Sequence, residues 1–268
     1  MVKYFIALFI LVFSQLLSAQ TLFVSDVDDT IKLAHVKDFS SAARYAFDDK
    51  SRFLGMNALY QAIAKENSDI QFVYLSKAPE WLMARTHRNF LKNGSFPAGT
   101  YIGKSEYDSD VHKITHLRRL MEEYRPRKVI LIGDNGEQDA DIYAQLAQEY
   151  ANQGIEFHQF IRIVYNDTPR VEWSAILHQG QTGFVTPLEI SFELEKERIL
   201  SYSAVETLVK SLVPEFLQAR SYADEGDVAF PYFVNCQTFV WRWDDSLQRF
   251  DTMKFLKQRL VDRCRLKM

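Results

Sequence analysis

The sequence predicts an α/β protein with a mostly parallel sheet wrapped by helices. Three observations predict it. Apolar strand-like runs alternate with amphipathic helical segments up to about residue 170, the pattern that packs helices onto a parallel sheet. One run, KVILIG at 128–133, is apolar throughout, as strands buried on both faces are. Acidic residues stand directly behind the runs, where ligands bind in such sheets.

The elements follow in order. TLFV (21–24) is a short apolar strand. Residues 55–66 place Met56, Leu59, Tyr60 and Ile63 at helical spacing. IQFVYL (70–75) is the second strand, and Pro79 then opens a helix that ends at Gly94. HLRRLMEEY (116–124) carries Leu117, Leu120, Met121 and Tyr124 on one helical face. KVILIG is the third strand. Residues 139–153 form a helix with Ile142, Tyr143, Leu146 and Tyr150 inward, stopped at Gly154. FIRIV (160–164) is a further strand.

The chain has 268 residues, 47% of them hydrophobic and 25% charged, enough for one or two domains with a sizeable core. A net charge of −3 offers no bulk electrostatic basis for nucleic-acid binding. Residues 1–19 read as a secretory signal peptide: Lys3, an apolar stretch from Tyr4 to Phe13 extended by Leu16 and Leu17, and small Ser18 and Ala19. The apolar core is shorter than the roughly 18 residues a membrane span needs, which favours cleavage near Ala19 over an uncleaved anchor. Export, to a periplasm or outside the cell, is the expectation. In that oxidising setting Cys236 and Cys264 either pair or stay buried thiols, and spacing alone does not decide.

VSDVDDTIK (24–32) crowds Asp26, Asp28 and Asp29 behind the first strand. Like charges about 4 Å apart repel by roughly 4 kcal/mol at an effective dielectric near 20, so a cation, raised pKa values or water must offset them. Ser76 follows the second strand and Asp134 the third. In a parallel sheet these ends converge, and Asp26, Asp28 and Asp134 then form an oxygen site that suits Mg²⁺, which takes few carboxylates and keeps room for a phosphate oxygen. A carboxylate beside the metal can attack phosphorus, and one two residues on can move a proton. The plainer reading is that acids behind strands serve as turns and helix caps.

These residues resemble the haloacid-dehalogenase superfamily of phosphotransferases. DVDDT matches its first motif, Ser76 in YLSKAP its second, Lys113 in HKITHL its third, and IGDNGEQD, with Asp134 and Asp139, its fourth. Together with FIRIV, these stretches are similar to the catalytic domain of the actin-patch-type phosphatidate phosphatase family over roughly residues 21–168. Lys77, Asn135 and Glu137 depart from the commonest form of the family pattern. The resemblance implies a Rossmann-like three-layer core, Mg²⁺ dependence and phosphomonoester hydrolysis, with phosphatidate the founding substrate. It implies Asp26 as nucleophile and metal ligand, and Asp28 as acid and base whose backbone carbonyl also binds the metal. Thr30 would hold the loop, Ser76 a phosphoryl oxygen, and Lys113 would neutralise phosphate and nucleophile. Asp134 would bind Mg²⁺, and Asp139 would bind it or orient its waters. Asp29 reads as a turn or cap residue.

The expected organisation is a signal peptide (1–19), a catalytic domain (20–174) and a mainly helical accessory extension (175–268). A small cap insertion is expected at 33–54, where Phe39, Tyr45, Phe47 and Phe53 either pack or line an acyl path. Further on, Thr186–Pro187 opens a helix, Ser203 and Glu206 form a capping box for a helix through about Gln218, SYADEGDVAFP (221–231) is a loop, and TFVWRW (238–243) alternates like a strand. The last helix carries Leu256, Leu260 and Cys264 on one face, with Lys254, Lys257, Arg259, Arg263, Arg265 and Lys267 against Asp251 and Asp262. It is either a docked terminal helix or a basic face for peripheral membrane contact. Three functions stay open: a phosphatidate phosphatase-like enzyme, a phosphatase for soluble phosphomonoesters such as nucleotides or sugar phosphates, and a binding or effector protein that keeps the fold without turnover.

Overall fold

The computed structural model describes residues 21–105, 111–166 and 177–265. The signal-peptide reading at 1–19 and the basic Lys267 lie outside the described residues, as does the proposed boundary at 174.

Six strands form one sheet in the order β4-β3-β1-β5-β6-β7: β1 Thr21–Ser25, β3 Ile70–Pro79, β4 Thr100–Lys104, β5 Lys128–Asp134, β6 Glu156–Arg162 and β7 Gln181–Phe184. Every pairing in it is parallel, so the expected α/β architecture is present. The chain leaves β1 for β3 and β4 on one side, then crosses to β5 on the other. That reversal makes the carboxyl ends of β1 and β5 the switch point of the sheet, where ligands bind in folds of this class.

Strand alternation sorts the core into two layers. Phe23, Phe72 and Ile130 stand opposite one another and face one side. Helices α2 Met56–Glu66, α6 Pro187–Lys196 and α7 Tyr202–Gln218 share that layer. Val24, Val73 and Leu131 face the other side, against α4 His112–Tyr124 and α5 Asp139–Glu149. Helix α3 Glu80–Asn93 runs between Pro79 and Gly94, as expected, and turns Met83, His87, Phe90 and Leu91 inward. Helix α4 begins earlier than the apolar pattern indicated, which places Lys113 in its first turn.

The sheet continues beyond residue 174: β7 pairs with β6, and the helices that follow complete the core over α2. Thr186 caps α6 in a reciprocal capping box with Glu189. Ser201, not Ser203, caps α7 by accepting from Ala204 N, because the helix begins at Tyr202. The 221–231 segment holds the short strands β8 Ser221–Ala223, β9 Asp227–Val228 and β10 Phe230–Pro231 rather than a plain loop. Strand β9 pairs with β2 Arg52–Phe53 of the insertion. Residues 238–243 form no strand: Phe239 and Trp243 are buried in stacked contact, and Trp241 meets Trp243 edge-on. Aromatic packing there satisfies the same alternation without a partner strand. Helices α8 Asp244–Arg249 and α9 Met253–Cys264 end the described chain. Met253, Leu256, Leu260 and Cys264 of α9 are buried, so this helix docks by its apolar face.

Cys236 and Cys264 form a disulfide across 28 residues of chain. Closing a loop of that length stabilises the fold by roughly 3–4 kcal/mol in the chain-entropy model. Reduction, or the double change Cys236→Ala and Cys264→Ala, is expected to lower unfolding stability by about that amount. Urea midpoints of oxidised and reduced protein check it, and equal midpoints would contradict it.

Buried Glu189 adds a pH dependence. Burial pushes its carboxyl from the ordinary 4.5 up to about 7 despite the hydrogen bonds from Thr186. The folded chain therefore holds a proton there that the unfolded chain has released, and stability falls as pH rises through that window. Glu189→Gln keeps a carbonyl oxygen for Thr186 and is expected to recover on the order of 3 kcal/mol above neutral pH. Thermal melts of both forms on either side of neutrality measure the difference.

Candidate active site

Register alone brings the key residues together. Ser25 stands opposite both Tyr74 and Ile132, and Asp26 N donates to Ile132 O at 2.8 Å. Asp26 just past β1, Ser76 within β3 and Asp134 at the end of β5 thus stand at nearly the same level on three neighbouring strands. Asp139 opens α5 a short turn later. Carboxylate oxygens of Asp26, Asp134 and Asp139 all lie within 4.8 Å of one another, and all three residues are buried.

Lys113 is the cation inside this cluster. It is fully buried, and its Nζ donates to Asp26 Oδ1 at 2.7 Å and Asp139 Oδ1 at 2.5 Å, with Glu137 Oε2 at 3.8 Å. A cation in the first turn of a helix opposes the helix dipole. Burial disfavours the ammonium, but Asp139, Asp26 and Glu137 outweigh it and hold its pKa well above the usual lysine range. The helix start is anchored by His112 Nε2, 3.1 Å from Ser76 O.

One ammonium does not balance three buried carboxylates. Burial first, then the neighbouring acids, push Asp26 and Asp134 well above the usual carboxylate range. Hard oxygen donors, close spacing and excess negative charge fit a divalent cation. Gly133 is needed for this closeness. A Cβ there would meet Asp139 Oδ2 at 2.5 Å, and one at Gly136 would meet Asp134 Oδ1 at 2.7 Å. Gly133→Ala is expected to displace Asp139 and weaken divalent-ion binding about tenfold or more. Calorimetric titration with Mg²⁺ measures this, and unchanged affinity would contradict the assignment.

The Asp28 side chain stands apart from the three-acid cluster. Its Oδ2 accepts from Ser76 Oγ at 3.2 Å, and its Oδ1 lies 3.3 Å from His87 Nε2 and 3.8 Å from Lys32 Nζ. Burial would raise this carboxyl, yet His87, Lys32 and Ser76 together hold it well below the usual range. Its side chain is therefore not among the oxygens that gather at the three-acid cluster. Thr30 Oγ1 donates to Asp134 Oδ2 at 3.3 Å and ties the first motif to the fourth. Asp29, fully buried at φ 58°, accepts from the backbone N–H groups of Ala34, His35 and Val36 and from Tyr165 OH. It shapes the loop that leads into the insertion, in keeping with the turn reading.

Several supporting residues escaped the sequence reading. His87 donates or accepts through Nδ1 to Tyr101 OH at 2.8 Å while its other nitrogen faces Asp28. Its place at helical spacing with Met83 and Phe90 marks a polar ring on an apolar face. Lys32 is fully buried and donates to Tyr45 O at 2.6 Å. Arg162, charged within FIRIV, donates to Thr30 O at 2.8 Å and to Val185 O at 2.7 Å between the rings of Phe53 and Phe184. For Arg162 the available signal was a charge inside an otherwise apolar strand, and for Lys32 a lysine between Ile31 and Leu33. In the insertion, Tyr45 and Phe53 are buried in the core, whereas Phe39 and Phe47 of helix α1, Phe39–Ala46, and its C-cap are exposed. The four therefore do not line one acyl path.

The family model of the phosphatidate phosphatase APP1 catalytic domain matches residues 21–158, just over half of the chain. The chain is 28% identical over 142 residues to "Phosphatidate phosphatase APP1" of Saccharomyces cerevisiae, covering 48% of this chain and 24% of that protein. It is 27% identical over 157 residues to an uncharacterized protein of Schizosaccharomyces pombe, covering 54% of this chain and 25% of that one. The chain thus spans about a quarter of the length of these curated relatives. The solved structure of a Pnkp1/Rnl/Hen1 complex overlays with a TM-score of 0.37 at 14% identity, over 56% of this chain and 48% of that chain, too loosely to carry an argument. With its four motifs in order and gathered at one sheet edge, the chain belongs to the family of the phosphatidate phosphatase APP1 catalytic domain.

Proposed function

We propose that this protein is a divalent-metal-dependent phosphomonoester hydrolase that works through an aspartyl-phosphate, with phosphatidate or a close relative as substrate. The observation that carries the reading is the cluster of Asp26, Asp134 and Asp139 around buried Lys113 at the switch point of the sheet. Asp26, Asp134, Asp139 and the Asp28 carbonyl would hold the ion, with Mg²⁺ the best match to the donor set. When bound, the ion supplies charge neutralisation at the phosphoryl group and the carboxylates.

The protein groups then divide the work. An Asp26 carboxylate oxygen attacks phosphorus as the ester oxygen departs, and Asp28 gives that oxygen a proton. Asp28 next takes a proton from water, whose oxygen attacks the acyl phosphate, releasing inorganic phosphate and restoring Asp26. The contacts in hand keep Asp28 ionised, the state the second step requires. The proton for the first step is one that Asp28 takes when the pull of His87, the largest stabiliser of its carboxylate, is relieved; Ser76 is the smallest of them. Lys113 holds Asp26 in place and offsets phosphate charge. Positioning and charge neutralisation supply most of the rate in such transfers.

Export is part of the proposal. The Cys236–Cys264 bond supports it, since disulfides persist in oxidising compartments. Among the described residues no helix is long and apolar enough to cross a membrane. The test is a phosphate-release screen spanning phosphatidate in micelles, nucleotides and sugar phosphates, with Mg²⁺ and with EDTA. Release from phosphatidate that EDTA abolishes supports the reading. Preference for soluble esters moves the substrate class, and no release from any ester favours a binding protein that kept the fold.

A further inference from the structure

We propose that the mouth of the site docks on the surface of an anionic phospholipid bilayer through exposed apolar side chains on the segments that frame it. This rests on the lipid-phosphate reading above. Three segments follow the strand ends that carry the acids. The first is the insertion that follows the Asp29-anchored loop, where Phe39 is 91% exposed and Phe47 67%. The second is the first turn of α3, five residues past Ser76, where Trp81 is 77% exposed and Leu82 41%. The third is the N-cap of α4, where Val111 is 55% exposed beside His112, which contacts Ser76 O. Each leaves the carboxyl edge of the sheet, the edge that carries Asp26, Ser76 and Asp134.

Large apolar side chains exposed on segments that leave the same sheet edge call for a cover. A bilayer is the occupant that the chemistry favours. Asp26 is 3% exposed, so a phosphate reaches it only by entering the mouth, while acyl chains stay outside. A mouth pressed against the bilayer meets both needs. Tryptophan and phenylalanine favour the depth between headgroups and acyl chains. Charge agrees: the run from Lys77 to Lys92 carries Lys77, Arg85, Arg88 and Lys92 against Glu80, and the insertion carries Lys37, Arg44, Lys50 and Arg52 against Asp38, Asp48 and Asp49. Basic side chains beside an apolar anchor draw a protein to anionic lipid. This places the contact on α3 and the insertion, not on the basic last helix.

The experiment sediments the full chain with vesicles of phosphatidylcholine and phosphatidylserine, and with phosphatidylcholine alone. The wild type is expected to bind the mixed vesicles more tightly. The double variant Phe39→Ser, Trp81→Ser is expected to lose roughly tenfold or more in that binding. Both residues are exposed and outside the catalytic set, so release from soluble p-nitrophenyl phosphate should stay unchanged while release from vesicle-borne phosphatidate falls in step with binding. Equal vesicle binding by wild type and variant overturns the docking surface whatever the activity. Absence of phosphate release from every ester overturns the hydrolase reading, and sedimentation still decides the docking surface.

Discussion

Asp26→Asn is expected to reduce phosphate release by at least about three orders of magnitude, some 4 kcal/mol of transition-state stabilisation. The amide cannot form the acyl phosphate. It also removes one of the charges a divalent ion would meet. The fold should not suffer. Asn has nearly the same shape, and its carbonyl oxygen can keep the 2.7 Å contact to Lys113. Ionised Asp26 is costly where it stands, because burial and the neighbouring acids Asp139 and Glu137 raise its pKa well above the ordinary range. The variant should therefore melt at or above the wild-type temperature. Phosphate release and a thermal melt together check this. Turnover within tenfold of wild type would remove Asp26 from the nucleophile's place.

Lys113→Met has the opposite signature, a large loss of stability together with activity. It takes away a buried ammonium that contacts Asp26 and Asp139 and leaves their carboxylates uncompensated. Breaking a buried ion pair from one side costs about 3–5 kcal/mol, which for a chain of this size lowers the melting temperature by roughly 10 °C. The carboxyls respond by binding protons in the folded state, so the loss should deepen as pH rises. Added Mg²⁺ should recover part of it, because the ion replaces the missing charge, and should raise the variant's melting temperature more than the wild type's. Melts in EDTA and in Mg²⁺ measure both terms. Equal Mg²⁺ shifts in the two proteins would speak against a cation site among these acids.

Much of the site was readable before folding because its chemistry is local in the chain. DVDDT, YLSKAP, HKITHL and IGDNGEQD each end a strand or start a helix, and the alternation of apolar runs says where such ends gather. The residues that were missed act across distance. His87 faces Asp28 from another helix, Arg162 reaches Thr30 from another strand, and Tyr165 meets Asp29 across 136 positions. Nothing in their own neighbourhoods names those partners. The TFVWRW segment failed for a related reason: its alternation reports which side chains are buried, and an aromatic cluster buries them as well as a strand does.

The sequence by itself determined the class of fold, the order of its core elements and the acids that end its strands, because period and strand-end chemistry are properties of short stretches. Only the tertiary structure decided that Cys236 meets Cys264, that β7 completes the sheet, that Asp28 turns from the other acids toward His87, and that Phe39 and Trp81 stand in water. Each of these depends on which distant segments share a surface, and that is fixed by packing of the whole core rather than by any one segment.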